Sequence, residues 1–343
     1  MIDLWTYLKH TPKPILLYGT GNGADKILNE LIKRKITVSG VFASDGFVRN
    51  RMFRGFKVIS FNEAKEQYGS FIALISFGTQ LPDVIDYIKR IAETVETYAP
   101  DVPVIEDNEI FDIEYARKHE AELKKAYNLL GDDISKKVFC DVINYKLTGK
   151  IDYLFGCETS KDESYELLGL KEDEVYLDLG AYNGDTVDEF IKHAKAYRKI
   201  IAVEPDLKNF RKLKNNTENL GNIVLFNAAV AEKNGTTFFS MKGGRNSSVG
   251  DGVEIMSLSV DGEFFNEQIS YIKMDVEGNE ILALRGANET LKKYQPCLNI
   301  AAYHKNADIF EIPILINSIN PNYRIFLRHH PYIPAWDTNY YCV

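Results

Sequence analysis

The stretch YLDLGAYNGDT, Tyr176 to Thr186, decides the fold. Its first half begins with an apolar run of the kind that fills a buried strand, and that run stops at Asp178. A turn carrying Gly180 and Gly184 follows. Then TVDEFIKHAKAY (186–197) places Val187, Phe190, Ile191 and Ala194 on one face of a helix. Strand, glycine turn and amphipathic helix in that order predict a βα unit of a parallel sheet.

Working outward, the same alternation recurs. KIIAVEPD (199–206) reads as a strand, LKNFRKLKNNTENL as a helix and NIVLFNAAVA (222–231) as one strand. Residues 236–265 read as irregular β structure around a glycine loop. SYIKMDVEG (270–278) reads as a strand, NEILALRGANETLKKY as a helix and PCLNIAAYH as a strand ending at His304. Upstream, PILLYGTGNGADKILNELIKRK (14–35), TVSGVFASDG (37–46), FIALISFGT (71–79) and LPDVIDYIKRIAE (81–93) describe a second, separate βα series. Between the series, residues 106–164 are charged and helical in pattern, with Tyr127, Leu130, Val138, Val142 and Ile143 needing burial. The expected architecture is α/β: two Rossmann-like doubly wound units, 1–105 and 165–343, joined by a helical connector.

Composition bounds the function. The chain has 343 residues, enough for two domains at about 150 each. Its formal charge of −8 argues against non-specific nucleic-acid binding. There is no apolar run of about 18 residues for a membrane span, and no apolar signal-peptide core near Met1. Cys140, Cys157, Cys297 and Cys342 lack metal-site or CxxC spacing, so reduced thiols and a cytoplasmic location are expected.

The two glycine loops differ in chemistry. Gly19, Gly21, Asn22 and Gly23 follow a strand and open a helix, and Asp45 stands where a ribose-binding acid is expected, so this loop suits a phosphorylated ligand. The alternative is a Rossmann turn kept for tight packing. The second loop lies between two carboxylates, Asp178 and Asp185. They would repel a pyrophosphate and favour a positively charged nucleoside without phosphate, the character of S-adenosylmethionine. Glu204, at the end of the next strand, can accept hydrogen bonds from both ribose hydroxyls.

The acceptor end is expected where YIKMDVEGNEI (271–281) leaves its strand. Asp275 and Glu277 are site candidates there, and Glu280 reads as a helix cap. His304, on the same edge, is a candidate general base near neutral pH, as against a packed loop histidine. Asp275 and Glu277 could instead hold Mg²⁺ through oxygen ligands, although no metal is expected.

Taken together, YLDLGAYNGDT, VEPD, NAAV, the NSSV loop, YIKMDVEGNE, LRGA and the YHK…EIPILI…YRIFLRHH tail resemble the FkbM family of S-adenosylmethionine-dependent methyltransferases. The resemblance covers about Tyr165 to Val343. It implies a class I methyltransferase fold that usually acts on a hydroxyl oxygen, with sugars and polyketides among the substrates. It also implies that the whole loop Gly180, Ala181, Tyr182, Asn183, Gly184, Asp185 and Thr186, with Glu204 and Asp275, meets the cofactor. The same resemblance implies Asn227, Ala228, Ala229 and Val230 on the adenine side. The sequence departs from many members at Ala181-Tyr182-Asn183, and at AAYH before His304. The first unit is similar, more loosely, to nucleotide-sugar-binding Rossmann domains through GVFASDG, FRGFKVIS and FIALISFGT. The reading is an O-methyltransferase for a sugar or glycan-related acceptor, the rival a non-catalytic nucleotide-sugar-binding protein.

Overall fold

The computed structural model describes residues 2–48, 51–105, 109–240, 248–249 and 252–343. Its first sheet holds six strands: β1 Ile15–Tyr18, β2 Gly40–Ala43, β3 Met52–Phe53, β4 Phe56–Ser60, β5 Ile72–Ile75 and β6 Glu96–Tyr98. They lie in the order β3-β4-β2-β1-β5-β6, parallel except for β3. β1, β2 and β5 are buried at every position, as continuous apolar runs covered on both faces should be. The helix Phe61–Tyr68 starts with a capping box between Ser60 and Glu63.

The larger sheet has seven strands: β7 Glu174–Leu179, β8 Tyr197–Val203, β9 Ile223–Phe226, β14 Tyr271–Met274, β15 Cys297–Ala301, β16 Ile325–His329 and β17 Thr338–Cys342. Their order is β16-β17-β15-β14-β7-β8-β9. β17 runs antiparallel to both of its neighbours, and the other pairs are parallel. A small sheet completes the unit, with β10 Ala229–Val230, β11 Gly235–Ser240, β12 Ser248–Val249 and β13 Val253–Leu258 in the order β10-β13-β11-β12.

Three sequence expectations change. NIVLFNAAVA is two strands in two sheets, because the chain leaves the large sheet at Asn227 and joins the small one at Ala229. The helix expected over NEILALRGANETLKKY is split into Glu280–Arg285 and Asn288–Tyr294, with Gly286 against the carbonyl of Ala231. His304 lies beyond the end of its strand, which closes at Ala301. Residues 106–108 and most of the NSSV loop fall outside the described residues.

The connector contains helices Ile113–Lys118, Glu120–Leu129, Asp133–Thr148, Ile151–Phe155 and Lys161–Leu168. The Asp133–Thr148 helix seats on β16, where Ser135 Oγ accepts the Leu327 amide at 3.0 Å. Nearby, the buried Arg328 guanidinium donates to Asp132 Oδ2 at 2.6 Å. One apolar core runs from the first sheet through these helices into the large sheet, taking in Phe42, Tyr115, Val138, Ile272 and Leu327. At the rim, Thr79 and Ile333 exchange backbone hydrogen bonds of 2.8 and 3.0 Å, joining the two units directly. Among the described residues no helix is long and apolar enough to cross a membrane.

Candidate functional site

The strand order of the large sheet reverses between β7 and β14, and open α/β sheets bind ligands in the crevice outside the strand ends at such a point. A cleft of about 430 Å³ lies there. It is lined by the β7 loop, the ends of β8 and β14, the β10 strand and the turn before β17, with Gln80 and Val104 reaching in from the first unit.

Gly180 makes the crossing possible. It adopts φ +88°, and a Cβ there would stand 1.9 Å from the Asp275 carbonyl oxygen, so the β7 loop passes directly over the end of β14. The loop turns on through Tyr182, itself left-handed at φ 47°, whose amide donates to Glu204 Oε2 at 2.9 Å. Glu204 Oε1 accepts the Asp206 amide at 2.8 Å. Each oxygen therefore keeps a lone pair for a ligand hydroxyl. Burial raises the Glu204 carboxyl to about 8, against the lowering effect of those two amides.

Of the expected cofactor residues, Gly180, Tyr182, Asp185, Thr186, Glu204, Ala229, Val230 and Asp275 line the cleft. Asp178, Ala181, Asn183, Gly184, Asn227 and Ala228 are not among the lining residues. Asp178 is fully buried, accepts the Thr186 hydroxyl and is pushed up to about 6 by burial. Its place is under the loop, which it ties to the following helix. Asn227 works in the same way, its Nδ2 donating to the carbonyls of Glu204 and Pro205 at 2.8 and 3.0 Å. The residues that face the cleft fit S-adenosylmethionine: close backbone approach at Gly180, a diol acceptor at Glu204 and an acidic surround for a cation.

At the β14 end, Asp275 is held by three groups. The Tyr303 hydroxyl donates to its Oδ2 at 3.1 Å, Lys273 Nζ lies 3.6 Å away, and His304 Nε2 lies 3.4 Å from Oδ1. Burial works to raise the Asp275 carboxyl, but Lys273 and His304 prevail and hold it below its usual range. Glu277, left-handed at φ 51°, brings Oε2 to 3.5 Å from His304 Nε2. Behind the ring, the fully buried Glu280 places Oε1 3.0 Å from His304 Nδ1.

This arrangement revises the expectation for His304. Burial alone would lower its pKa, but Glu280, Asp275 and Glu277 outweigh burial and raise it to about 10. At neutral pH the ring is an imidazolium with no lone pair to accept a proton. Glu280 does not cap its helix: it is the first helical residue, its Oε1 accepts the Val276 and Gly278 amides of the preceding turn at 3.0 and 3.3 Å, and it also anchors the imidazolium. Asp275, Glu280 and His304 offer ligand atoms within 4.8 Å of one another, a spacing that a divalent cation also accepts. Glu280 Oε1 is already engaged by backbone amides, and a proton on the ring balances the same carboxylates.

The remaining lining residues carried no local sequence signal. Lys161 comes from the connector and lies 2.9 Å from Glu189 and 3.6 Å from Asp337. Tyr303, Tyr332, Trp336 and Asn339 enter from the final third of the chain. His329 and His330 are buried and bonded internally, His329 to Thr338 and His330 to Thr159 and Tyr341.

In the first unit, Gly19 follows β1, Gly21 and Asn22 open the helix Asn22–Lys33, and Asp45 begins the turn after β2. They share one edge of the first sheet but do not line the cleft. A Cβ on Gly23 would meet the Ser76 carbonyl oxygen at 2.4 Å, and one on Gly19 would meet Phe77 and Ser76 at 2.8 Å. Close packing alone would require glycine at those two positions.

A family model described as the Methyltransferase FkbM domain matches residues 178–334. The crystal structure of methyltransferase FkbM from Methylobacillus flagellatus superposes with a TM-score of 0.76 at 21% identity, covering 99% of this chain and 92% of that one. It shows that the fold extends over both units. Smaller likenesses include fibrillarin from Aeropyrum pernix with bound S-adenosyl-L-methionine (TM-score 0.34, 17% identity, 53% of this chain and 73% of that one). A SAM-dependent methyltransferase from Aquifex aeolicus gives 0.32 at 12% identity, over 56% of this chain and 97% of that one. No curated protein sequence matches the chain.

Proposed function

We propose, from the match of residues 178–334 to the FkbM methyltransferase domain, that this S-adenosylmethionine-dependent enzyme methylates a hydroxyl oxygen of a sugar or glycan-related acceptor. The observation that carries the reading is Asp275, an ionised carboxylate fixed at the cleft by Tyr303, Lys273 and His304. A carboxylate so placed orients a hydroxyl by accepting its hydrogen bond, aiming an oxygen lone pair along the line of attack.

S-adenosylmethionine bound in the cleft supplies a methyl carbon activated by its sulfonium. Glu204 would accept the two ribose hydroxyls through its free lone pairs. Ala229 and Val230 offer a flat apolar surface to the base. The acceptor hydroxyl becomes strongly acidic as its oxygen gains the new bond to carbon. A carboxylate as weakly basic as Asp275 is then a sufficient proton acceptor, and no neutral histidine is needed. His304 holds Asp275 and Glu277 in place.

We extend the reading to the first unit. Its edge residues Gly19, Gly21, Asn22, Gly23 and Asp45 are where a sugar nucleotide would sit, apart from the cleft. The division into a ligand-binding unit (1–105), a connector (106–164) and a methyltransferase unit (165–343) belongs to the same proposal.

The test is Asp275→Asn, assayed by tritium transfer from labelled S-adenosylmethionine to a panel of methyl glycosides. Loss of the hydrogen-bonding base should lower turnover about 10²-fold or more. S-adenosylhomocysteine affinity should change less than about tenfold, one hydrogen bond's worth. Turnover close to wild type would remove Asp275 from the acceptor.

A further inference from the structure

The cleft has one wall that neither cofactor binding nor Asp275 explains. Tyr332 and Trp336 stand with ring centroids 5.8 Å apart and planes at 41°, and both line the cleft with Tyr303. Tyr303 links this wall to the chemistry, because its hydroxyl bonds Asp275. Trp336 is only partly buried.

The first unit builds this wall from behind. A Cβ on Gly78 would lie 2.5 Å from Trp336 Cζ3 and 3.1 Å from Tyr332 Cε1, so both rings rest on a position with no side chain. The next residue, Thr79, makes the paired backbone bonds to Ile333 that fix the register of the contact. Gln80 then lines the cleft itself.

The charges around the wall point to the class of ligand. Among the described lining residues, each cation already faces carboxylates. Lys161 faces Glu189 and Asp337, Lys273 faces Asp275, and His304 faces Asp275 and Glu277 with Glu280 behind. A carboxylate or phosphate entering here would find acids without a spare counter-charge. Aromatic faces beside oriented carboxylates and amides suit a ring that is apolar on its C–H face and polar at its rim.

We propose that Tyr303, Tyr332 and Trp336, propped by Gly78 of the first unit, form the acceptor subsite, and that it stacks the face of an uncharged pyranose. The proposal rests on the hydroxyl-acceptor reading above and adds the ring class and the participation of the first unit.

The chain has two tryptophans, which supplies the readout. Trp5 is 3% exposed and lies under the Arg34 guanidinium, 5.3 Å from its ring. In a Trp5→Phe protein the emission therefore comes from Trp336. This protein, loaded with S-adenosylhomocysteine, is titrated with methyl pyranosides and with the matching uronic acids, and labelled methyl transfer to each is followed in parallel. At least one neutral pyranoside should quench the emission saturably and accept the methyl group, and its uronate should bind ten times more weakly or worse. Trp336→Ala and Gly78→Ala should each raise KM for that acceptor tenfold or more while S-adenosylhomocysteine affinity stays within twofold. Unchanged KM in both variants, a uronate accepted as well as the neutral sugar, or no quenching by any pyranoside while S-adenosylhomocysteine binds would each overturn the proposal. The two readings fail separately. A product methylated on nitrogen or carbon removes the hydroxyl reading, whereas an O-methylated product formed with unchanged KM by both variants removes the wall.

Discussion

Replacing His304 by Gln tests how the site is charged. The imidazolium is 2% exposed and sits between Glu280 at 3.0 Å, Asp275 at 3.4 Å and Glu277 at 3.5 Å. A rise from 6.5 to about 10 corresponds to roughly 5 kcal/mol of preference for the charged ring in the folded state. Removing one partner of a buried ion pair costs about 3–5 kcal/mol, a similar figure reached independently. The sign follows from the direction of the shift. A histidine whose folded pKa is raised contributes its full stability below the unfolded value near 6.5. That contribution is lost as pH rises through the folded value near 10. His304→Gln should therefore melt well below wild type at pH 6, and the gap should narrow steadily toward pH 10. Thermal melts across that range, without ligand, measure it. Turnover of the wild-type enzyme should show no loss near pH 6.5 assignable to this ring. A constant gap in melting temperature across the range, or an acid limb of activity near 6.5 that disappears in His304→Gln, would refute the imidazolium.

Two further outcomes follow from the cofactor half of the cleft. Glu204→Ala should weaken S-adenosylhomocysteine roughly ten- to hundredfold by calorimetry, the loss of two hydrogen bonds worth about 0.5–1.5 kcal/mol each, and unchanged affinity removes the ribose role. Gly180→Ala should abolish cofactor binding and destabilise the protein by about 1–3 kcal/mol or more, because the new methyl meets the Asp275 carbonyl at 1.9 Å in a left-handed backbone. A variant that binds and melts like wild type would mean that the loop does not cross β14 as described.

What the sequence disclosed divides along physical lines. The βα units around Gly19 and Gly180 were readable because a strand, a glycine turn and an amphipathic helix are all local patterns. The acid-flanked loop and Glu204 were readable because Rossmann-like units put successive strand ends on one edge. His304 was placed at the right end of the sheet, but its charge was not readable. That charge depends on Glu280, whose local signature as a helix cap concealed its contact with a loop more than twenty residues downstream. Asp178 and Asn227 are polar residues beside the site whose hydrogen bonds to Thr186 and to the carbonyls of Glu204 and Pro205 shape the loops. The aromatic wall was invisible because Gly78, Tyr303, Tyr332 and Trp336 carry no shared spacing and meet only through tertiary packing. The glycines at 19 and 23 match a phosphate fingerprint, and in the fold they also pack closely against Ser76 and Phe77.

The paired hydrogen bonds between Thr79 and Ile333 have a consequence for how such enzymes diversify. Residue 79 precedes the segment 178–334 that carries the family signature, whereas residue 333 lies within it. In our reading, the cofactor is held by one stretch of the gene and the acceptor wall is shaped partly by another. Mutations around positions 78–80 could then redirect the enzyme to a new acceptor while leaving its methyl-donor chemistry under unchanged selection. Two descendants with the same signature could thus differ in what they methylate, and the difference would be written in the half of the chain that the signature does not cover.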